Sequence, residues 1–325
     1  MRGDVRALDD ALNFLLDFLR WWIPYEPSAT VVVVFAATVW LYWRGARRSP
    51  MTVPWHRQLF FWVGLLIVYV GLHTRLDYYA EHEFFIHRIQ HVGLHHMGPF
   101  LIALAYPGVT MRRGLPVRFR TRWLKPALQW APVRLLLDVL LHPFVAALMF
   151  VGLIYLWLWP SVHFDAMLDW RLYHLMNYSM AADGMLFWWL ILDHRPRPPA
   201  RLSPGVRVFV ALAVILPQIL IGAYISFTKT DLYPIYSLCG RAFAGIPPIV
   251  DQHIGGLILW IPGSMMSVLA ALIAFGHWLR LDSKGRLPRN RKAREAMRAR
   301  ALAAVAAQSE VEGPTALAGS TEKST

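Results

Sequence analysis

Long runs of hydrophobic residues, separated by short polar segments, make up most of this chain. Each of the longest runs approaches the roughly 20 residues that a helix needs to cross the hydrocarbon core of a bilayer. The pattern therefore predicts an all-α fold, a polytopic transmembrane helical bundle of about seven spans. The predicted spans are approximately 29–44, 58–75, 84–106, 134–159, 170–192, 206–227 and 252–279.

The two ends of the chain differ from this membrane domain of residues 29–280. Within residues 1–28, apolar and charged residues alternate with helical periodicity and end in two tryptophans. This pattern predicts an amphipathic helix at the outer face, over 8–23, which lies in the interface or packs on the bundle. Acidic residues interrupt the segment, so we expect no cleavable signal peptide. Residues 281–325 are predicted to be a cytoplasmic tail, basic at first and then polar and disordered.

The charged residues predict which side of the membrane each connection occupies. Only 16% of the residues are charged, against roughly 25% in soluble domains. The net charge of +13 comes from arginines in short connections and in the tail, which favours membrane orientation over nucleic-acid binding. Connections after the first, third and fifth spans are basic, whereas 160–169 has no Lys or Arg. The N-terminus is therefore predicted outside and the C-terminus inside, in a multi-pass protein of the cytoplasmic (inner) membrane.

The third predicted span carries an unusual number of histidines. His87, His91 and His95 are four residues apart, so an α-helix places them on one face, and His96 lies beside them. Polar rings inside a bilayer need partners, which makes them candidates for a functional site.

The predicted orientation collects most histidines on one side of the membrane. Nine of the 13 fall outside or in the outer to middle part of the bundle. Neutral imidazoles that converge from several helices form metal sites, and Asp251 is a candidate ligand or orienting group. The candidate metal ligands are His73, His87, His91, His95, His174, Asp251 and His253. The alternative is that these side chains only hydrogen-bond one another and the backbone.

Other side chains refine this picture. The thioethers of Met97, Met176 and Met180 lie in or beside the same spans, and thioether with imidazole favours Cu(I). With Cys239 as its single cysteine, the chain has neither a disulfide framework nor a CxxC motif. A second polar set in the inner half indicates a proton path or interhelical hydrogen bonds, and its members are Asp138, His142 and Asp183.

Several short motifs, in this order, resemble those of the CtaG family of integral membrane cytochrome c oxidase assembly factors. They are HRIQH at 87–91, LAYP at 104–107, LWPSVHFD at 158–165, GMLFWW at 184–189, and Asp251-Gln252 before Gly255, Gly256 and Trp260. The resemblance covers about residues 55–280 and implies a seven-span protein required for making haem–copper oxidase, with copper handling as its expected role. It also implies functional roles for His87, His91 and Asp251.

The chain departs from the family pattern in its fifth span. Where related proteins carry an acidic residue followed by His, this chain has Met176-Asn177, and Asn is a poor metal ligand. His174, one turn earlier, is the candidate substitute. His95 and His96 are additions relative to the family pattern.

The sequence is compatible with three hypotheses about function. The first is a non-enzymatic assembly factor that binds Cu(I) and passes it from a copper donor to an oxidase subunit. The second is a bis-histidine haem protein for electron transfer, with His87 or His91 facing His73 or His174. The third is a membrane di-iron oxidase or hydroxylase that uses the HxxxHH pattern of His91, His95 and His96. A scaffold without metal is the simplest alternative to all three.

Overall fold

The computed structural model describes residues 20–49 and 52–287, and the isolated residues 16, 295, 296, 299, 302 and 303. Over these residues the chain is helical and has no strand, which confirms the predicted all-α class. Most residues of the amphipathic helix predicted over 8–23, and most of the tail after residue 287, lie outside the described residues.

In the first half of the chain, two long helices are followed by several short ones. They are α1 (Ala29–Arg47), α2 (Trp55–His73), α3 (Leu76–His82), α4 (Phe84–His91), α5 (Gly98–Leu104), α6 (Gly108–Gly114), α7 (Val117–Phe119), α8 (Lys125–Gln129) and α9 (Ala131–Leu140). Two π-helical segments continue helices without a break. They are π1 (Val92–Met97) between α4 and α5, and π2 (Arg120–Leu124) between α7 and α8.

The second half contains the remaining helices, among them the two longest of those described. They are α10 (Pro143–Leu158), α11 (Pro160–Leu168), α12 (Trp170–Ile191), α13 (Pro204–Ala213), α14 (Ile215–Phe227), α15 (Ile235–Leu238) and α16 (Pro248–Ser283). The 36-residue helix α16 packs along α14, α13 and α4 and connects the two halves of the bundle.

Among the described residues, four helical segments are long and apolar enough to cross a membrane. They are Ala29–Arg47, Trp55–His73, Pro204–Phe227 and Pro248–Ser283. A fifth crossing results if α9 and α10 form one bent span. The described residues therefore contain four or five candidate spans of a membrane protein, and the predicted count of seven is not confirmed. The predicted third and fifth spans are helical, over 84–104 and 170–191, but carry many buried polar side chains.

The predicted fourth span, 134–159, is not one straight helix. The chain bends by 69° between α9 and α10. Pro143 begins α10, and His142 before it has an extended backbone with ψ of 133°. A proline disfavours the helical conformation in the residue before it, so the helix ends there and restarts in a new direction.

Two glycines allow the helices around the histidines to approach closely. A Cβ atom at Gly184 of α12 would overlap the main-chain carbonyl of His95. A Cβ atom at Gly255 of α16 would overlap the ring of Phe84 in α4. The helix α12 therefore approaches the backbone of π1, and α16 packs directly on side chains of α4.

Candidate functional site

A chain of hydrogen bonds begins outside the histidine-rich segment, at a carbonyl of α10. His163 Nδ1 lies 2.9 Å from the main-chain oxygen of Trp157, which can only accept, so this nitrogen carries the hydrogen. The Nε2 atom of a neutral His163 must then accept, and the hydroxyl of Tyr236 lies 2.9 Å away as its donor. Tyr236 in turn accepts from His87, whose Nδ1 is 3.0 Å from the same hydroxyl oxygen.

The same logic continues along α4. His87 Nδ1 also lies 3.2 Å from the carbonyl oxygen of Ala80, a second acceptor, so His87 Nε2 is the accepting nitrogen. His91 Nε2 lies 3.0 Å from His87 Nε2 and 3.0 Å from Asn177 Oδ1, and it donates to both. Because His91 Nε2 carries the hydrogen, the Nδ1 atom of a neutral His91 keeps a free lone pair. That buried Nδ1 atom has no hydrogen-bond partner.

His96 is held in the same tautomer by a different helix. Its Nε2 atom lies 3.0 Å from Gln218 Oε1 of α14. The amide of Gln218 donates through Nε2 to the carbonyl of Val214, which fixes its oxygen as the group facing His96. His96 therefore donates from Nε2, and its buried Nδ1 atom is left without a partner.

His95 follows this pattern but faces another helix. Its Nε2 atom lies 3.0 Å from Asp183 Oδ2 of α12, and its Nδ1 atom is buried without a partner. The indole of Trp188 donates to the main-chain oxygen of His95 at 3.0 Å. Asp183, predicted as part of a separate inner set, thus belongs to the surroundings of His95.

The π-helix changes which histidine lies next to His91. Hydrogen bonds in a π-helix join residues five apart, so residue i+5, rather than i+4, lies one turn further along the same face. Through π1 this rule aligns His91 with His96 and turns His95 aside toward α12. Accordingly, His91 and His96 both line one enclosed cavity. This corrects the predicted face of His87, His91 and His95, because His96 rather than His95 lines the cavity together with His91.

Nitrogen and sulfur side chains are among the residues that line the enclosed cavity. Alongside His91 and His96 it is lined by Met180, and its volume is about 10 Å³, about the space of one water-sized sphere. A ring nitrogen that ligates a metal is normally paired with a second ring nitrogen that donates to an oxygen, which is the arrangement of both imidazoles. Two free imidazole nitrogens and a thioether suit Cu(I) better than hard cations. Two imidazole nitrogens and one thioether are therefore available as soft donors among the residues that line the cavity.

Two observations limit what this site can hold. Among the described residues, no group of three or more His, Cys, Asp or Glu side chains is placed to hold a metal ion. Arg88, which is 2% exposed, also lines the cavity, and its Nε and Nη2 atoms have no hydrogen-bond partner. Its positive charge opposes the binding of a cation. A metal ion in this cavity would therefore have two imidazoles and one thioether as ligands, and the nearby guanidinium of Arg88 would repel it.

The other predicted ligands are engaged elsewhere. His73 Nε2 accepts from the backbone N–H of Ser28 at 3.1 Å. His174 is half-buried, and its Nδ1 donates to the carbonyl of Trp170 at 2.8 Å. His253 Nε2 donates to the carbonyl of Thr228 at 3.1 Å. The structure does not bring these three side chains to the enclosed cavity.

Asp251 has a structural position at the start of α4. Its carboxylate accepts from the backbone N–H groups of Phe84, at 3.0 Å, and Phe85, at 2.7 Å. Arg241 pairs with Asp251 at 2.7 Å and also with Glu83. Asp251 therefore caps the helix that carries His87 and His91, and joins it to α16 and to the segment before α16.

The remaining predicted side chains divide between core and surface. Met176 is fully buried, whereas Met97 is exposed. Asp138 pairs with Arg201 on the surface, away from Asp183.

The comparison with known families agrees with this architecture. A family model described as cytochrome c oxidase caa3 assembly factor (Caa3_CtaG) matches residues 36–281. This chain belongs to that family. The match contains every element from α2 to α14 and nearly all of α16, so the Caa3_CtaG region includes the whole histidine-bearing part of the bundle.

Curated relatives of this Caa3_CtaG chain come from mycobacteria. Uncharacterized proteins of Mycobacterium bovis and Mycobacterium tuberculosis are each 27% identical to it over 220 residues, 63% of this chain and 31% of the relative. An uncharacterized protein of Mycobacterium leprae is 25% identical over 281 residues, 84% of this chain and 41% of the relative. The chain spans less than half the length of these relatives. No solved structure matches it.

Sequence reasoning missed the residues that orient the imidazoles. These residues lie on three different helices and are His163, Tyr236 and Gln218. Tyr236 hydrogen-bonds both His87 and His163, and Gln218 hydrogen-bonds His96. The sequence indicates Asn177 only as a poor metal ligand, whereas in the structure its Oδ1 atom accepts a hydrogen bond from His91. The polar residues within apolar helices were the available signal, because buried polar groups require partners.

Proposed function

We propose that this chain assists the assembly of a haem–copper oxidase by holding one Cu(I) ion in the enclosed cavity. The ligands are His91 Nδ1, His96 Nδ1 and the thioether of Met180. The observation that carries this proposal is that both imidazoles have a free Nδ1 atom and line the same cavity as Met180. The chain is an assembly factor by family, and it passes its ion to an oxidase subunit without turning over a substrate.

The proposal narrows the ligand set predicted from sequence. His91 remains a ligand, and His87 becomes a positioning residue, because its Nε2 atom accepts from His91 and fixes the tautomer of that ring. Asp251 caps α4. His95 bonds Asp183 and faces away from the cavity.

The location and orientation are proposed from the charge pattern. The N-terminal end of α2 and the C-terminal ends of α12 and α16 share one basic side, which carries Arg57, His194 and Arg280. Basic connections stay on the cytoplasmic side. We therefore propose that the protein lies in the cytoplasmic membrane with its C-terminus inside and its outer end near Ser28 and His73.

Copper content after loading tests the proposal directly. The protein purified in detergent is loaded with Cu(I), desalted and analysed for metal and protein. We expect about one copper per chain, lost in His91→Ala/His96→Ala and reduced in Met180→Leu, which keeps the apolar volume. The matched control is His174→Ala/His253→Ala, which removes two histidines that do not line the cavity.

The outcomes separate the proposal from its alternatives. Copper retained by the His91/His96 variant, or lost equally in the control, contradicts the cavity site. Size-exclusion chromatography of each variant shows whether copper was lost through unfolding. A visible spectrum of the untreated protein tests the haem alternative, because haem gives a Soret band and Cu(I) gives none. That alternative needs His73 or His174 opposite α4, and both bond other groups.

A further inference from the structure

A second cavity lies at the basic end of the bundle and shares no lining residue with the cavity of His91 and His96. It has a volume of about 440 Å³ and lies between the N-terminal end of α2, the turn after α5, the end of α12 and the end of α16. Four permanently charged side chains line it, and none of the lining residues is acidic. These cations are Arg57, Arg280, Lys284 and Arg286.

Tyr106 lines this cavity and contacts three other residues that line it. The guanidinium of Arg57 lies 5.2 Å from the centroid of its ring, and the ring of His194 lies 4.3 Å from it. The hydroxyl of Tyr106 is 3.4 Å from His277 Nε2 of α16. One aromatic side chain thus holds groups from three separate parts of the chain around a common space.

The backbone of Tyr106 is itself unusual. Its φ is +49°, and it is the only non-glycine residue among those described that has a positive φ. L-residues with a side chain adopt this conformation at an energetic cost, and such strain clusters at sites that bind ligands. The strained turn directs the chain away from α5 and leaves the tyrosine ring between α2 and α16.

We propose that this cavity binds the phosphate group of an anionic phospholipid. The cluster of cations without a lining carboxylate favours an anion, and basic pockets between membrane helices on the cytoplasmic side recognise lipid head groups. Phe60, Leu104 and Leu281 supply an apolar wall for the glycerol and the first acyl carbons. Asp193, the nearest acidic neighbour in sequence to His194, is paired with Arg195 at 2.8 Å.

Lipid binding to the detergent-purified protein tests this proposal. Short-chain phosphatidylglycerol and phosphatidylcholine are titrated separately, and binding is followed by native mass spectrometry and by the midpoint of thermal unfolding. We expect phosphatidylglycerol to bind and to raise the midpoint more than phosphatidylcholine. Arg57→Gln/Arg280→Gln should weaken its binding about 30-fold, because each basic side chain near an anionic lipid contributes roughly a factor of five.

The matched control is Arg118→Gln/Arg122→Gln, which removes two exposed arginines of the same basic side that do not line the cavity. Its binding should stay within about twofold of the unmodified protein. Arg57→Lys/Arg280→Lys should bind nearly normally, which shows that the loss in the glutamine variant comes from charge. An equal loss in the control and cavity variants overturns the proposal, because it indicates general surface charge.

A competition experiment distinguishes a lipid from a soluble phosphate compound as the ligand of this cavity. Inorganic phosphate and glycerol phosphate are added in competition with phosphatidylglycerol. We expect them to compete only at concentrations far above those of the lipid. If either binds as tightly as the lipid, the cavity is a site for a soluble phosphate compound and the lipid assignment is wrong. None of these measurements depends on copper.

Discussion

Replacement of Asp251 tests whether this residue is a metal ligand or a helix cap. The side chain is 1% exposed and accepts from the N–H groups of Phe84 and Phe85 while it pairs with Arg241. Asp251→Ala leaves two buried N–H groups without acceptors, each at a cost of about 1–3 kcal/mol. Arg241 keeps Glu83 as a partner, so the loss of the ion pair is only partial.

These contributions give an expected destabilisation of about 3–5 kcal/mol for Asp251→Ala. Asp251→Asn retains one good acceptor and loses the charge, so its destabilisation should be smaller. The assay is thermal unfolding in detergent, with copper content measured on the folded fraction of the same samples. We expect a lowered midpoint for both variants and an unchanged copper content per folded chain.

One result would refute this reasoning. If Asp251→Asn loses copper while its unfolding midpoint equals that of the unmodified protein, Asp251 acts on the metal. The cap would then be of minor importance. Serine in place of Asp251 offers an additional check, because a hydroxyl oxygen accepts at a helix N-terminus but is a weak ligand for Cu(I).

Two further predictions concern charges near the site and outside the spans. The Arg88→Gln variant should bind Cu(I) more tightly than the unmodified protein, by up to about 100-fold. The reason is that the guanidinium and a Cu(I) ion about 5 Å apart would repel each other by about 3 kcal/mol at an effective dielectric constant of about 20. Arg88→Lys keeps the charge and is the control in a competition titration with a Cu(I) chelator; equal affinities for all three proteins would place the ion elsewhere. In α3, burial, together with the charges of Asp77 and Glu26, raises the pKa of Glu81 to about 8. A carboxyl group whose pKa is raised by folding destabilises the folded protein increasingly as pH rises from the unfolded pKa toward 8. The Glu81→Gln variant should therefore raise the unfolding midpoint more at pH 8 than at pH 5. A gain that does not change with pH would show that Glu81 stays charged in the folded protein.

The sequence alone determined the class of this protein. Hydrophobic runs of membrane-spanning length and scarce charge require helices in a bilayer, since backbone polar groups there must be bonded internally. Short ordered motifs, beginning with HRIQH at 87–91, were specific enough to indicate the assembly-factor family, and the family model confirms it. The pairing of His87 with His91 also followed from sequence, because both lie in the regular helix α4.

The tertiary structure decided which histidines share a cavity. Sequence reasoning assumes a spacing of four residues per turn, and the π-helix over Val92–Met97 replaces His95 with His96 beside His91. The partners Gln218 and Tyr236 lie more than 120 residues away, and no local pattern predicts such contacts. A buried polar residue shows that a partner exists, but only the packing of the helices decides which one, and hence which nitrogen is left free.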